Sequence, residues 1–294
     1  PVEFGLDEER AERGQPERFD LAPAAERRRV EKGETETERQ VSYEPLSTRG
    51  TALGTLVPVN MRTSTRDALQ TLADKRGSID GYVADRLGYK PDELGKYFSA
   101  EQIDAIGLAI DNLERGAGFI IGDQTGIGKG RVNAAIIRYA MNRKLIPVFD
   151  TAKPNLYGDM YRDLTDIGVI DMLGREPKML MTNSGESIQL DDEETKFLKS
   201  PEASEQNKLL IRYGNEGNIG DNDMVFTTYD QMNTYQGKLT ERQKFLSAII
   251  PNSLLILDES HNAGGQGASG RGKKESINRA AFVRNLVQNA KGVF

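Results

Sequence analysis

The chain has 294 residues, 37% hydrophobic and 29% charged, enough for one large or two modest domains with a buried core. It holds no cysteine and a single histidine, His261, which excludes a disulfide scaffold, a thiolate zinc site, cysteine catalysis and a multi-histidine metal centre. A net charge of -6 excludes the basic footprint of a simple nucleic-acid-binding module, but not an enzyme that grips nucleic acid in a local groove.

No apolar run reaches the roughly 18 residues a membrane helix needs. The opening PVEFGLDEERAERG has no apolar signal core. Together with the missing cysteine, this points to a reducing, cytoplasmic compartment and no membrane partner. A start without Met and an end on a bare Phe294 fit a segment of something longer.

Residues 1–40 carry 12 acidic and 8 basic side chains, too polar to offset their ordering entropy by burial. They read as a charged arm, either a flexible linker or an exposed partner-docking helix. Residues 41–115 read as a small helical lead-in. Pro45, Gly50, Gly54 and Pro58 punctuate an irregular start, and a helix then opens near Thr65 with Leu69 and Leu72 on one face. A short helix follows over Ile79–Leu87, with a turn at Gly88–Pro91. Ser99 and Gln102 have capping-box spacing, and Ile103, Ile106, Ile110 and Leu113 repeat at helical intervals until Gly116.

Residues 116–294 alternate strand and helix signals. Phe119–Ile121 is a short apolar run, Asn133–Asn142 helical, Leu145–Phe149 a strand and Pro154–Ile167 a helix. Lys178–Met181, Met224–Thr227 and Leu254–Leu257 read as strands, Thr240–Ile249 and Ser276–Asn289 as helices, and Gly292–Phe294 as a last strand. Such alternation predicts an α/β fold with a parallel sheet covered by helices on both faces. The polar stretch 183–223 reads as a surface insertion.

Two motifs carry chemistry. In the first, the apolar run enters Gly122-Asp-Gln-Thr-Gly-Ile-Gly-Lys-Gly130-Arg131 and a helix follows, the context of a phosphate loop. Gly126 and Gly128 let successive N–H groups turn inward, Lys129 reaches the β- and γ-phosphates, and the helix start adds its positive end. The pattern departs at Gly130, where Ser or Thr normally binds Mg²⁺, and at Asp123 in place of the first Gly. Arg131 either binds phosphate or covers its helix. The second motif, Leu254-Leu-Ile-Leu-Asp258-Glu259-Ser260-His261, ends an apolar strand in two acids, where open α/β sheets bind ligands. Asp258 suits a metal held through water, and Glu259 suits activation of an attacking water. The plain alternatives are a glycine turn and an acidic strand end. Gly264–Lys274, glycine-rich and basic, either tracks a nucleic-acid backbone or is a solvated loop.

The pair resembles motifs I and II of superfamily two helicases of the DExH kind, with Asp-Glu-Ser-His as the box. The run Gly118-Phe-Ile-Ile-Gly-Asp-Gln-Thr-Gly-Ile-Gly-Lys-Gly-Arg131 is similar to the strawberry notch family, in which Gly-Arg follows the Lys. Phe149–Leu156 with Asp159–Leu164, and Val225–Gln231, resemble that family's following segments. The resemblance covers residues 43–294 and implies a RecA-like P-loop NTPase domain that binds ATP and Mg²⁺. It implies nucleotide contacts from Gln102, Gln124, Thr125, Gly126, Ile127, Gly128, Lys129, Gly130 and Arg131. It assigns catalysis to Lys129, Asp258, Glu259 and His261, and metal binding to Asp258 and Thr125. Lys153, Thr227 and Thr228 would contact nucleic-acid phosphates, DNA in preference to RNA. It further implies a second RecA-like domain with arginine fingers elsewhere in a longer chain, and a bacterial or phage version of the family. The competing expectation is a virion or assembly component that uses the fold for contacts with other phage proteins. A P-loop kinase or a hexameric motor is disfavoured, since Ser or Thr would follow the Lys.

Overall fold

The computed structural model describes residues 39–122, 128–191, 195–233, 238–263 and 271–294, with 271–278 as backbone only. The expected arm at 1–40 therefore lies almost wholly outside the described residues, as does the first part of Gly264–Lys274.

The chain enters through an antiparallel ribbon, β1 (Gln40–Ser42) and β2 (Leu56–Pro58), in a stretch expected to be irregular. Helices α1 (Val59–Arg76), α2 (Ile79–Leu87), α3 (Leu94–Tyr97) and α4 (Ala100–Glu114) complete the lead-in. Next come α5 (Lys129–Asn142), β3 (Ile146–Thr151), α6 (Leu156–Asp166), α7 (Val169–Leu173) and β4 (Met179–Met181). The helix expected over 154–167 is α6, and a separate short helix, α7, follows after Gly168, which takes a left-handed φ of 74°. A hairpin of β5 (Ser187–Gln189) and β6 (Phe197–Lys199) precedes α8 (Ala203–Glu216) and β7 (Met224–Thr228). The chain closes with α9 (Glu241–Ile249), β8 (Ser253–Leu257), α10 (Arg271–Asn289) and β9 (Gly292–Val293).

Five strands form a parallel sheet in the order β4-β7-β3-β8-β9. Alternate residues feed the two faces. Phe149, Phe226 and Ile256 join α4, α5 and α6, whereas Val148, Val225 and Leu255 join α8, α9 and α10. The run before the phosphate loop lies beside β9 through a bond from Phe119 N to Val293 O and a stack of Phe119 on Phe294, but it is not a regular strand. The stretch 183–223 is more than a surface insertion. It holds the hairpin and the crossover helix α8, whose Gln206, Leu210 and Tyr213 are buried at helical spacing. Among the described residues, no helix is long and apolar enough to cross a membrane.

The lead-in shares one core with the sheet. Leu69, Leu87, Ile106 and Ile110 belong to the same cluster as Ile136, Tyr157 and Ile256. Buried Arg138 of α5 ties the two parts together. Its guanidinium donates to Leu87 O, the last carbonyl of α2, at 2.7 Å and to Gly168 O at 2.9 Å, and it stacks on Tyr89 at 4.0 Å.

Two buried carboxylates fasten the strap that joins β1 to β2. Asp104 accepts from Tyr43 Oη, Leu46 N and Ser47 N at 2.7–2.8 Å, and Asp80 accepts from Ser47 and Thr48. Gly50 is required here, because a Cβ on it would lie 2.3 Å from Ala100 N. Asp104→Ala leaves three donors without their acceptor. We expect it to lower the unfolding free energy by roughly 3 kcal/mol in a urea titration; an unchanged midpoint would contradict the fastening role.

Candidate nucleotide site

All five parallel strands point their carboxyl ends at one rim, and α5 begins at that rim. Gly128 precedes the helix with φ 75° and ψ 41°, a left-handed conformation that costs a glycine little. A Cβ there would meet Gln102 Nε2 at 2.4 Å. Gln102 donates from that nitrogen to Gly128 O at 3.2 Å. It also completes the capping box of α4: its Oε1 accepts from Ser99 N, and its own N–H donates to Ser99 Oγ. The capping role expected of Gln102 is thus filled, and the same side chain also holds Gly128 O.

Asp258 follows β8 directly. Its carboxylate accepts from Thr151 Oγ1 at 3.0 Å and from Asn133 Nδ2 at 3.3 Å. Its N–H donates to Asp150 O at 2.9 Å, and its carbonyl accepts from Tyr229 Oη at 2.7 Å. Asn133 lies one helical turn beyond Lys129, so the lysine and the strand-end acid are joined through one helix. Burial raises the Asp258 carboxyl; the Thr151 and Asn133 bonds and the Lys129 charge oppose that rise, while the Glu259 charge adds to it. Glu259 has φ 51°, a left-handed conformation in a non-glycine residue, and an exposed carboxylate 3.3 Å from His261 Nδ1. Lys129, Asp258, Glu259 and His261 therefore gather at one rim.

Other expected site residues fall elsewhere. Gln124, Thr125, Gly126 and Ile127 lie outside the described residues, as does Asp123. Arg131 donates to Tyr97 O at 3.0 Å and pairs with Asp166 at 2.7 Å. These are the contacts of a side chain that covers its helix, one of the two roles the sequence left open to it. Lys153 is exposed just past β3, at the same end of the sheet. Thr227 and Thr228 are 0% and 2% exposed. The Thr227 hydroxyl pairs with Thr182 Oγ1, and that of Thr228 accepts from Asn183. Hydroxyls used within the fold are not offered to a nucleic-acid strand, so that expectation is corrected as well.

Four contributors escaped the sequence reading: Asn133, Thr151, Tyr229 and Asp150. Asn133 had one signal, a polar side chain within the apolar run Val132–Ile137. Asp150 had none. It is fully buried in β3, and among the described residues neither carboxylate oxygen has a hydrogen-bond partner. Burial pushes its carboxyl well above the usual range; the Arg279 charge opposes this and the Asp258 charge adds to it.

A family model described as P-loop containing NTP hydrolase pore-1 matches residues 89–293. The chain belongs to this family. The match takes in Gln102 and α4 as well as the sheet. The chain is also similar to Protein strawberry notch homolog 1 from Gallus gallus and from Homo sapiens, each 41% identical over 86 residues. Those matches cover 26% of this chain and only 7% and 6% of the two relatives. The strawberry notch resemblance and the RecA-like α/β fold both stand, and this NTPase family binds nucleotide.

Asp150 sets a pH dependence. Its folded carboxyl titrates above its unfolded value near 3.9, so folding takes up a proton. Its contribution is full below the unfolded value and is lost as pH rises through the folded one. Asp150→Asn removes that loss. Denaturant titrations from about pH 4 upward should show the variant gaining stability relative to the parent as pH rises; parallel curves would refute the assignment.

Proposed function

We propose that the chain is the ATPase domain of a nucleic-acid helicase or translocase, with DNA preferred over RNA. One observation carries the reading: α5 opens on Lys129 at the carboxyl rim of the sheet and, one turn on, donates from Asn133 to Asp258. Phosphoryl transfer needs little covalent help from protein, so catalysis rests on positioning and charge. The positive end of α5 and the Lys129 ammonium would hold the β- and γ-phosphates. Gln102 would brace the loop through Gly128 O and so fix the cradle next to the base.

The donor set fits Mg²⁺. Among the described residues no group of three or more His, Asp or Glu side chains stands ready for a metal. A cation that keeps its waters and takes one or two carboxylates plus phosphate oxygens needs no such group. Asp258 would hold it with an oxygen already oriented by Thr151 and Asn133, and Thr125 is the second donor proposed from sequence. When bound, Mg²⁺ supplies charge neutralisation across the phosphates.

Glu259, exposed beside Asp258, would orient the attacking water and take its proton. His261, against the Glu259 carboxylate, would sense whether that carboxylate is engaged. Exposed Lys153 would grip a strand's phosphates, and a second RecA-like domain would bring the arginines that complete the site.

ATP turnover by the full chain, with single-stranded DNA, duplex DNA and RNA compared as activators, tests the reading. Lys129→Ala should abolish turnover, and Glu259→Gln should cut kcat by about 10²–10⁴-fold while ATP still binds. Turnover unchanged by Lys129→Ala would overturn the assignment. A folded protein that binds ATP but never turns over, whatever nucleic acid is added, would favour the assembly-component alternative.

A further inference from the structure

The residue after the phosphate-loop lysine is where a P-loop normally carries the Ser or Thr hydroxyl that faces the nucleotide's Mg²⁺. Here it is Gly130, and the space its side chain would take is already filled. A Cβ built on Gly130 would lie 2.2 Å from Asp163 Oδ2 and 3.3 Å from Asp163 Cγ, so any side chain there would push that carboxylate aside. Asp163 comes from α6, which packs along α5. A carboxylate oxygen thus stands where a hydroxyl-bearing side chain would begin, delivered by a residue 33 positions later.

The surroundings leave that carboxylate available. Among the described residues none forms a hydrogen bond or ion pair with it. The two nearby cations are engaged elsewhere: Arg131 pairs with Asp166 at 2.7 Å, and Arg162 with Asp159 at 2.8 Å. Gly130 and Asn133 are three apart on α5 and share a side of the helix. Asn133 reaches Asp258 from that side. The first turn of α5 thus has Asp163 beside its opening residues and Asp258 one turn on.

We propose that Asp163 replaces the missing hydroxyl as an oxygen donor toward the magnesium of the bound nucleotide, directly or through one of the waters that Mg²⁺ retains. The inference deepens the ATPase reading and rests on it. The exchange has a chemical consequence. A hydroxyl is neutral, whereas a carboxylate attracts the cation and repels bare phosphate. The site should therefore favour metal-loaded over metal-free nucleotide more strongly than a hydroxyl would allow. A carboxylate that only stabilised the start of α5 would not change that preference.

The test measures binding, not turnover. With the full chain and a non-hydrolysable ATP analogue, Mn²⁺ affinity is read by electron paramagnetic resonance, and analogue affinity is read separately in EDTA. Asp163→Ala should weaken Mn²⁺ binding by about 10–100-fold, while metal-free analogue binds no more weakly than to the parent. Gly130→Ser alone should push the Asp163 carboxylate aside and lower Mn²⁺ affinity by less than Asp163→Ala does, because the new hydroxyl partly replaces it. Gly130→Ser combined with Asp163→Ala, which trades the carboxylate for the hydroxyl, should recover most of the Mn²⁺ affinity. If Asp163→Ala fails to melt like the parent, the near-isosteric Asp163→Asn carries the same comparison. An Asp163 variant with parental Mn²⁺ affinity, on a parent that binds the analogue, overturns this proposal alone. A parent that binds no analogue, with or without metal, overturns the ATPase reading and this proposal with it.

Discussion

The structure turns on the carboxylate of Asp258. It receives one hydrogen bond from β3, through Thr151, and one from α5, through Asn133. A bond from a neighbouring strand fixes its height at the rim, and a bond from the helix that opens on Lys129 fixes its distance from the cradle. Both partners depend on parallel register. Asp150 pairs with Leu257 across β3 and β8, which sets Thr151 level with Asp258. A shift of one residue would turn Thr151 to the other face of the sheet. The buried strands and their two helical layers keep that register.

The lead-in belongs to this arrangement. Its helices share a core with α5 and α6, and Arg138 reaches from α5 to the end of α2 and to Gly168 beyond α6. A buried guanidinium bonded to several carbonyls has few alternative positions, so it ties α5 to the end of α2 and to the turn after α6. Through Gln102, α4 then touches the carbonyl at the mouth of the cradle. Segments far from the phosphate loop in sequence thereby set its position. The Asp163 carboxylate at Gly130 depends on the same packing, since it sits there only because α5 and α6 are held side by side.

Polar groups in this fold divide by whether the protein itself satisfies them. Asp104 and Asp80 are saturated by the strap, and Thr227 and Thr228 by Thr182 and Asn183. These groups hold structure together. Glu259 and Lys153 stay exposed at the rim, and Asp163 stays half-buried with no partner for its carboxylate among the described residues. Groups of the second kind are the ones left to meet a ligand.

The sequence by itself determined the alternation of strands and helices, the parallel sheet, the glycine-lysine turn and the acid pair. Each is a local pattern whose spacing follows from backbone geometry. It also located the Gln102 capping box, because that motif is read over four neighbouring residues. It misjudged the stretch 183–223, where α8 buries only a narrow stripe among polar residues and the apolar signal is thin. Only the tertiary structure decided that Thr227, Thr228 and Arg131 serve the fold. It alone brought Asn133, Thr151, Asp150 and Asp163 to the rim. Their positions depend on which helix lies against which, and no local spacing records that. A polar side chain reads the same in sequence whether packing leaves it exposed, satisfied or waiting for a ligand.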